Sequence, residues 1–380
     1  MTNDELQSQT INCLRFPLSV IVVFNHNFPW NMMDNILQVN WLNLTGMDIH
    51  IVICTLISNV VGYVASPCFF IFSGFLFFKN VKELNLQIYL KKIKRRVTML
   101  MVPYVLWNII PVVISAVFLF QRFDGSLLAY FNNLWEQGIF KVLWNYQDHG
   151  SYHNNIFGYP VPFCYPYNGN LWFLRDLIML VFLSPVVYYF VKYTKLVGIV
   201  ILGTCFFTQV WIYTTGFSID AFFFFGLGAY FSIHGKNMVT ELRKGTIIWL
   251  ILAVMLMFLS MYYASNYNIH YSILRLFIIT GVISTIIIAS CIVKRIRTIS
   301  DSKIISFLSK TSFFIFVTHM VFLMNWSQQL ANFIFKSNSA LFLIVKYFTA
   351  PIICVCICVG LYYVASKTVP KILKILTGSR

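Results

Sequence analysis

The chain has 380 residues, of which 59% are hydrophobic and only 11% charged, and its mean hydropathy is +0.75. A soluble domain carries about twice that charged fraction, so composition excludes a soluble globular protein and points to an all-α polytopic membrane protein built as one bundle. The net charge of +16 is no argument for nucleic acid until the sidedness of Lys and Arg has been checked, because cytoplasmic loops of membrane proteins carry that excess.

Ten apolar runs follow in order: 11–29, 49–78, 97–120, 170–191, 196–214, 218–234, 245–264, 270–293, 305–330 and 340–366. They form a single integral-membrane domain over 1–380, with one long external segment at 121–169. The opening MTNDELQSQT lacks the basic region of a signal peptide, so the first run reads as a retained helix. That run, INCLRFPLSVIVVFNHNFP, places Arg15 and His26 eleven residues apart. Eleven residues are about three turns, so both project from nearly one face, roughly 16 Å apart along the axis. The second run is long enough to tilt or break, and Gly62 and Pro67 mark the break point.

The segment 121–169 has two halves. SLLAYFNNLWEQGIFKVLW is amphipathic and suits a helix lying in the interface. The remainder is rich in Tyr, Asn, Gly and Pro, as in a lid or binding loop for a polyol or sugar, or equally in a packed cap over the bundle. His149 and His153 have the spacing of helical metal ligands, but nothing marks the loop as helical, so no metal is expected.

Charge then sorts by side. With these ten runs, 22 of the 28 basic residues fall on one side of the membrane, among them Arg15, Lys94, Arg95 and Arg96. The opposite connections hold only Arg122, Lys141 and Lys336. The positive-inside rule places both termini in the cytoplasm and accounts for most of the net charge without nucleic acid. The basic cluster at the inner ends of the first and third runs suits phosphates of a cytosolic cofactor. Topology signalling and anionic lipid headgroups are the plainer reading of the same residues.

Ionisable groups inside membrane runs are costly and usually face a bundle interior. His26, Arg175, Asp176, Asp220, Arg275 and His319 can share one level in the outer half. Arg175 and Asp176 are sequence neighbours that diverge on a helix, so each is expected to need its own partner, with Arg275 available to Asp176. Six such groups at one depth favour a polar site over isolated ion pairs. The nine cysteines carry little signal: Cys354, Cys356 and Cys358 diverge on a helix and read as apolar filler. No internal repeat of the transporter kind is evident.

The segments LRFPLSVIVVFNH (14–26), PCFFIFSGFLFF (67–78), KIKRRVTMLMVPYVLWN (92–108), NLWFLRDLIML (170–180), FFFFGLGAYFS (222–232) and SFFIFVTHMVFL (312–323) run in one order across nearly the whole chain. In this the sequence resembles the acyltransferase 3 family of bacterial membrane-bound acyltransferases, in the stand-alone form without an extracytoplasmic esterase-like domain. The resemblance implies ten helices with both termini cytoplasmic, in the bacterial inner membrane. It implies transfer of an acyl group, often acetyl, from cytosolic acyl-CoA to a hydroxyl of a cell-surface or lipid-linked glycan, with no metal.

Arg15 and His26 match the family's essential pair in the first helix. Arg96 matches the first arginine of an R-x-x-R motif whose second position here is Met99, which leaves Arg95 or Lys94 as substitutes. Arg175 and Asp176 match the LWFLRD segment, and His319 a frequent histidine of the penultimate helix. These matches imply acyl-CoA phosphates on Arg15, Arg96, Arg95 and Lys94. They imply catalysis by His26 as base or acyl relay, with His319, Arg175 and Asp176 in support. The alternatives are a transporter or flippase for a surface glycan, and a membrane anchor or sensing module.

Overall fold

The computed structural model describes residues 1–28, 36, 39, 41–119, 126–264, 266–296 and 302–378. Helices dominate. Among the described residues, six are long and apolar enough to cross a membrane: Gly46–Phe78, Leu86–Val117, Ser184–Thr208, Tyr267–Arg295, Lys303–Ile334 and Ala340–Thr368. The other expected spans coincide with helices that are shorter or more polar. These are α1 (Asn3–Asn25), the 11-residue Trp172–Phe182, the 15-residue Ile219–Ile233 and the 17-residue Thr246–Tyr262.

Helix α1 begins at a capping box. Thr2 Oγ1 accepts from Glu5 N at 3.2 Å, and Thr2 N donates to the Glu5 carboxylate at 2.7 Å. The helix runs through the bundle interior, packed against the helices that hold residues 65–78, 267–295, 303–318 and 340–368. Ser19 Oγ lies 3.0 Å from the Arg15 carbonyl and 3.1 Å from the Ser312 carbonyl, so one small polar residue ties α1 to a neighbouring helix.

The second span is broken, as its length and Gly62 suggest. Helix α2 (Gly46–Cys54) passes through a π turn (Thr55–Val60) and a 3-10 turn (Val61–Val64) into α3 (Ala65–Phe78). A Cβ on Gly62 would stand 2.9 Å from Asn25 Nδ2, so the glycine admits the end of α1 against this break. Pro67 adds a missing N–H just beyond it.

Helix α4 (Leu86–Leu119) leads to two short helices, α5 (Leu127–Gln137) and α6 (Ile139–Trp144), on the amphipathic stretch. The second half of the segment is not a plain loop. Strand β1 (Gln147–Asn154) pairs antiparallel with β2 (Pro160–Tyr165), with irregular register on either side of Ser151. The all-α bundle stands as expected, and this two-stranded hairpin is a small addition within the long segment between helices. Gly158 (φ 83°) suits the turn between the extended segments, which apolar periodicity does not register.

Helix α7 (Trp172–Phe182) descends from the hairpin side, and α8 (Ser184–Thr208) reverses at Lys195 (φ 52°, ψ −131°), where the sequence puts a connection between spans. Tyr188 and Tyr189 hydroxyls reach the Lys82 and Leu84 carbonyls at the basic end, whereas the Thr208 carbonyl accepts from Ile156 N beside the hairpin. The chain therefore goes down to the break at Lys195 and returns after it.

Helix α9 (Ile219–Ile233) crosses α3 at backbone contact. A Cβ on Gly74 would overlap the Phe225 carbonyl oxygen, and one on Gly228 the Ile71 carbonyl oxygen. Two glycines in otherwise Phe-rich helices are what allow this approach. The fully buried Phe70, Phe77, Phe78, Phe224 and Phe225 fill the space around it.

Then come α10 (Met238–Arg243), α11 (Thr246–Tyr262), α12 (Tyr267–Arg295) and α13 (Lys303–Thr318). The long apolar stretch Lys303–Ile334 is not one continuous helix. A π turn at His319–Leu323, with Phe322 at φ 62°, separates α13 from α14 (Met324–Ile334). Helices α15 (Ala340–Thr368) and α16 (Pro370–Leu376) end the chain, and the Leu376 carbonyl accepts from Trp107 Nε1 at 2.9 Å.

Candidate functional site

The break after α13 and the end of α1 bring two histidines together. His26 is the C-cap of α1, and His319 is the first residue of the π turn. Their ring centroids are 5.2 Å apart with planes inclined by 43°. His319 is completely buried, whereas His26 is half-buried. His319 Nδ1 lies 2.9 Å from the Ile315 carbonyl. A carbonyl only accepts, so Nδ1 carries the proton and the Nε2 of the neutral ring bears its lone pair. That Nε2 is buried with no hydrogen-bond partner. Buried polar atoms without partners are uncommon and mark places where a ligand or proton belongs.

The chain on either side of His26 is held by a polar clasp that sequence patterns did not single out. Ser58 Oγ donates to the Phe24 carbonyl at 2.6 Å. Its single proton is thereby used, so the Tyr347 hydroxyl, 2.7 Å away, is the donor to Ser58 Oγ. Asn25 Nδ2 donates to the Ser58 carbonyl at 2.7 Å. Asn27 Nδ2 donates to the Tyr347 carbonyl at 2.9 Å, and Gln328 Nε2 to Asn27 Oδ1 at 3.0 Å. Residues 24, 25 and 27 are thus fixed from the π turn of the second span, from α14 and from α15. The available signal was the placement of Asn25, Asn27, Ser58 and Gln328 in or beside apolar runs.

Arg175 and Asp176 lie in the first turns of α7, both buried. The expectation that neighbours on a helix need separate partners is corrected. Arg175 Nε meets Asp176 Oδ1 at 3.0 Å, because the long guanidinium arm folds back over its neighbour where no water competes. Arg175 Nη1 also donates to the Trp144 carbonyl at 2.8 Å and the Cys164 carbonyl at 3.0 Å. The guanidinium also stands 5.7 Å from the Trp144 ring centroid. It therefore clamps the hairpin and the amphipathic helices onto the bundle. Arg275 is not neutralised by Asp176; its electrostatic partner is Asp220. The six intramembrane groups thus divide into a histidine pair and an Arg–Asp cluster.

Buried amides join these parts. Asn170 Nδ2 donates to the Phe316 carbonyl, one turn before His319, and Asn170 Oδ1 has no partner. Asn168 Nδ2 donates to the Trp107 carbonyl at 2.9 Å, and Asn168 N to Asn108 Oδ1 at 3.1 Å.

At the other end, Arg15 is half-buried and lines a cavity of about 50 Å³ with Gln7, Ser8, Asn12 and Lys79. The Met238 N–H donates to Gln7 Oε1 at 2.7 Å, which seats this end of α1 on α10. Arg96 turns inward, its guanidinium 5.9 Å from the Phe77 ring centroid, and Lys92 Nζ donates to the Phe77 carbonyl at 2.5 Å. Lys94 and Arg95 are exposed on the outer side of α4. Lys79 is the basic residue beside Arg15, and only the tertiary packing of α3 on α1 put it there.

No group of three metal-ligating side chains occurs among the described residues. The side chains of His149 and His153 lie outside the described residues. Their backbone is strand, in which residues four apart are about 13 Å apart. Cys354 and Cys358 are buried and Cys356 is exposed, as divergence on a helix requires, and no disulfide forms among the described residues.

Neither the comparison with curated proteins nor that with solved structures gives a match. A family model described as an acyltransferase domain matches residues 9–363. That range takes in α1 with Arg15 and His26, the broken second span, Arg175 and Asp176, and the histidine at the π turn. A match over nearly the entire chain settles the family: this multi-pass membrane protein belongs to the acyltransferase 3 family.

Proposed function

We propose that the protein transfers an acyl group, acetyl in the simplest case, from cytosolic acyl-CoA to a hydroxyl of a cell-surface or lipid-linked glycan. In this reading the ten helical segments span the bacterial inner membrane with both termini in the cytoplasm, so the Arg15 end is cytosolic and the hairpin extracytoplasmic. One observation carries the proposal. In a chain of this family, a single helix holds a half-buried arginine beside Lys79 at one end and, about 16 Å further along, a histidine facing a second histidine whose Nε2 is buried without a partner.

Arg15, Lys79 and Arg96 hold the phosphates of CoA, and the pantetheine arm rises along α1. Lys94 and Arg95, being exposed, steer the anionic donor toward this end. His26 accepts the proton of the acceptor hydroxyl as the oxygen attacks the thioester carbonyl. The tetrahedral intermediate collapses with cleavage of the C–S bond, and the departing CoA thiolate takes the proton back from His26. His319 Nε2, bearing a lone pair, shares the proton and keeps the His26 ring oriented. Arg175 and Asp176 support the site by holding its outer cap.

The test is incubation of purified protein with labelled acetyl-CoA and membranes that carry the acceptor. His26→Ala is expected to express and fold normally and to transfer no label; full transfer by that variant refutes the reading. Movement of glycan across vesicles without consumption of thioester would instead support the export alternative.

A further inference from the structure

Beside the hairpin lies a second, larger cleft of about 330 Å³, away from the cavity at Arg15. One wall is the hairpin turn with Asn154 and Asn155; the other is α12, which contributes Asn268, Ser272 and Arg275. These three stand at i, i+4 and i+7, so they share one helical face in the outer turns of an otherwise apolar span. The hairpin wall is anchored to the end of α8 and the loop after it. Ile156 N donates to the Thr208 carbonyl at 3.1 Å, and Asn155 Nδ2 to the Tyr213 hydroxyl at 2.9 Å.

Among the described residues, Arg275 is the sole charged one lining the cleft, and it is 5% exposed. Its Nη1 donates to the Phe207 carbonyl at 3.2 Å, whereas Nη2 is buried and has no partner. Asp220 interacts with it electrostatically but makes no contact ion pair, the ion pairs among the described residues being Arg175–Asp176 and Lys244–Glu241. An arginine serving structure alone would have its fork filled, because desolvating a guanidinium is costly unless its donors are used. Here half the fork is held in reserve under a wall of amides and a hydroxyl.

We propose that this cleft is the acceptor site and that the acceptor is an acidic saccharide, whose carboxylate or phosphate seats on Arg275 while Asn154, Asn268 and Ser272 meet its hydroxyls. The inference rests on the reading of the chain as a glycan acyltransferase. An oxyanion takes two N–H donors from a guanidinium fork, which no neutral hydroxyl does.

The test uses the full-length protein in detergent, without acyl-CoA, and saturation-transfer NMR with D-glucuronate, D-glucose and inorganic phosphate as probes. Glucuronate is expected to bind the wild type at least about tenfold tighter than glucose, the worth of one charge-assisted hydrogen bond. Arg275→Gln should abolish that preference. Should this variant fail to fold, Asn268→Asp, at an exposed position, should weaken glucuronate and phosphate binding more than glucose binding, because the added carboxylate repels only the anions. Tighter binding of phosphate than of glucuronate assigns the oxyanion to a phosphosugar and supports the site. Equal binding of glucuronate and glucose to the wild type, or glucuronate binding untouched by both substitutions, overturns it. Because no acyl-CoA is present, this outcome is separate from the transfer assay. Transfer to a neutral glycan with no glucuronate binding would refute the acidic acceptor and leave the acyltransferase reading standing.

Discussion

Tyr347→Phe and Ser58→Ala test whether the clasp around His26 positions it. Tyr347 donates to Ser58 Oγ at 2.7 Å, and Ser58 donates to the Phe24 carbonyl at 2.6 Å. Tyr347→Phe removes the first of these bonds; interhelical hydrogen bonds in membrane bundles are worth about 0.6 kcal/mol on average and about 1.7 kcal/mol at most. Ser58→Ala removes both and leaves the buried Tyr347 hydroxyl without an acceptor, a cost of about 1–3 kcal/mol. The Phe24 carbonyl keeps its bond from Asn27 N at 3.1 Å, so the backbone is not orphaned. The double variant should then cost less than the sum of the singles, with a coupling of about 1 kcal/mol.

The assay is thermal unfolding of the purified protein in detergent, paired with steady-state acyl transfer. Loosening residues 24–27 displaces the His26 ring, and a displacement of about 1 Å lowers kcat by up to about a hundredfold. KM for acyl-CoA should not change, because the Arg15 cavity lies about three turns away. Strict additivity of the two substitutions, or a rise in KM with unchanged kcat, would refute the clasp as a positioning device.

Other outcomes follow from the same geometry. Gly74→Ala and Gly228→Ala each force α3 and α9 apart at a carbonyl contact and should each lower stability by about 1–3 kcal/mol, read as a lower melting temperature. Arg175→Ala strips a buried carboxylate of its partner and releases the Trp144 and Cys164 carbonyls. It should destabilise by about 3–5 kcal/mol, and adding Asp176→Asn should restore part of the loss; no rescue would count against the pair as the origin. Lys79→Ala should raise KM for acyl-CoA roughly tenfold with kcat unchanged, and an unaltered KM would remove Lys79 from the donor site.

Much of the fold was legible because lipid leaves the chain few choices. Every backbone polar group must be paired internally, so long apolar runs become helices, and the runs at 49–78, 270–293 and 340–366 are helices here. The break at Gly62 was legible for a local reason, a missing Cβ and a nearby proline. The hairpin at 147–165 was not, since its pairing joins residues with no apolar alternation to announce it. The π turn at His319 was also hidden, because Phe322 at φ 62° is held by packing and not by a turn-forming residue.

The sequence by itself determined that the protein is a membrane bundle, that its basic residues gather at one end, and that Arg15 and His26 share a face of one helix. Those properties depend on composition and on 3.6-residue periodicity, which are local. Tertiary structure decided who meets whom: His26 with His319, Lys79 with Arg15, Arg175 with its own neighbour, and Arg275 with a cleft. Partners across a bundle are chosen by crossing geometry and by where helices break, and both depend on contacts between residues hundreds of positions apart.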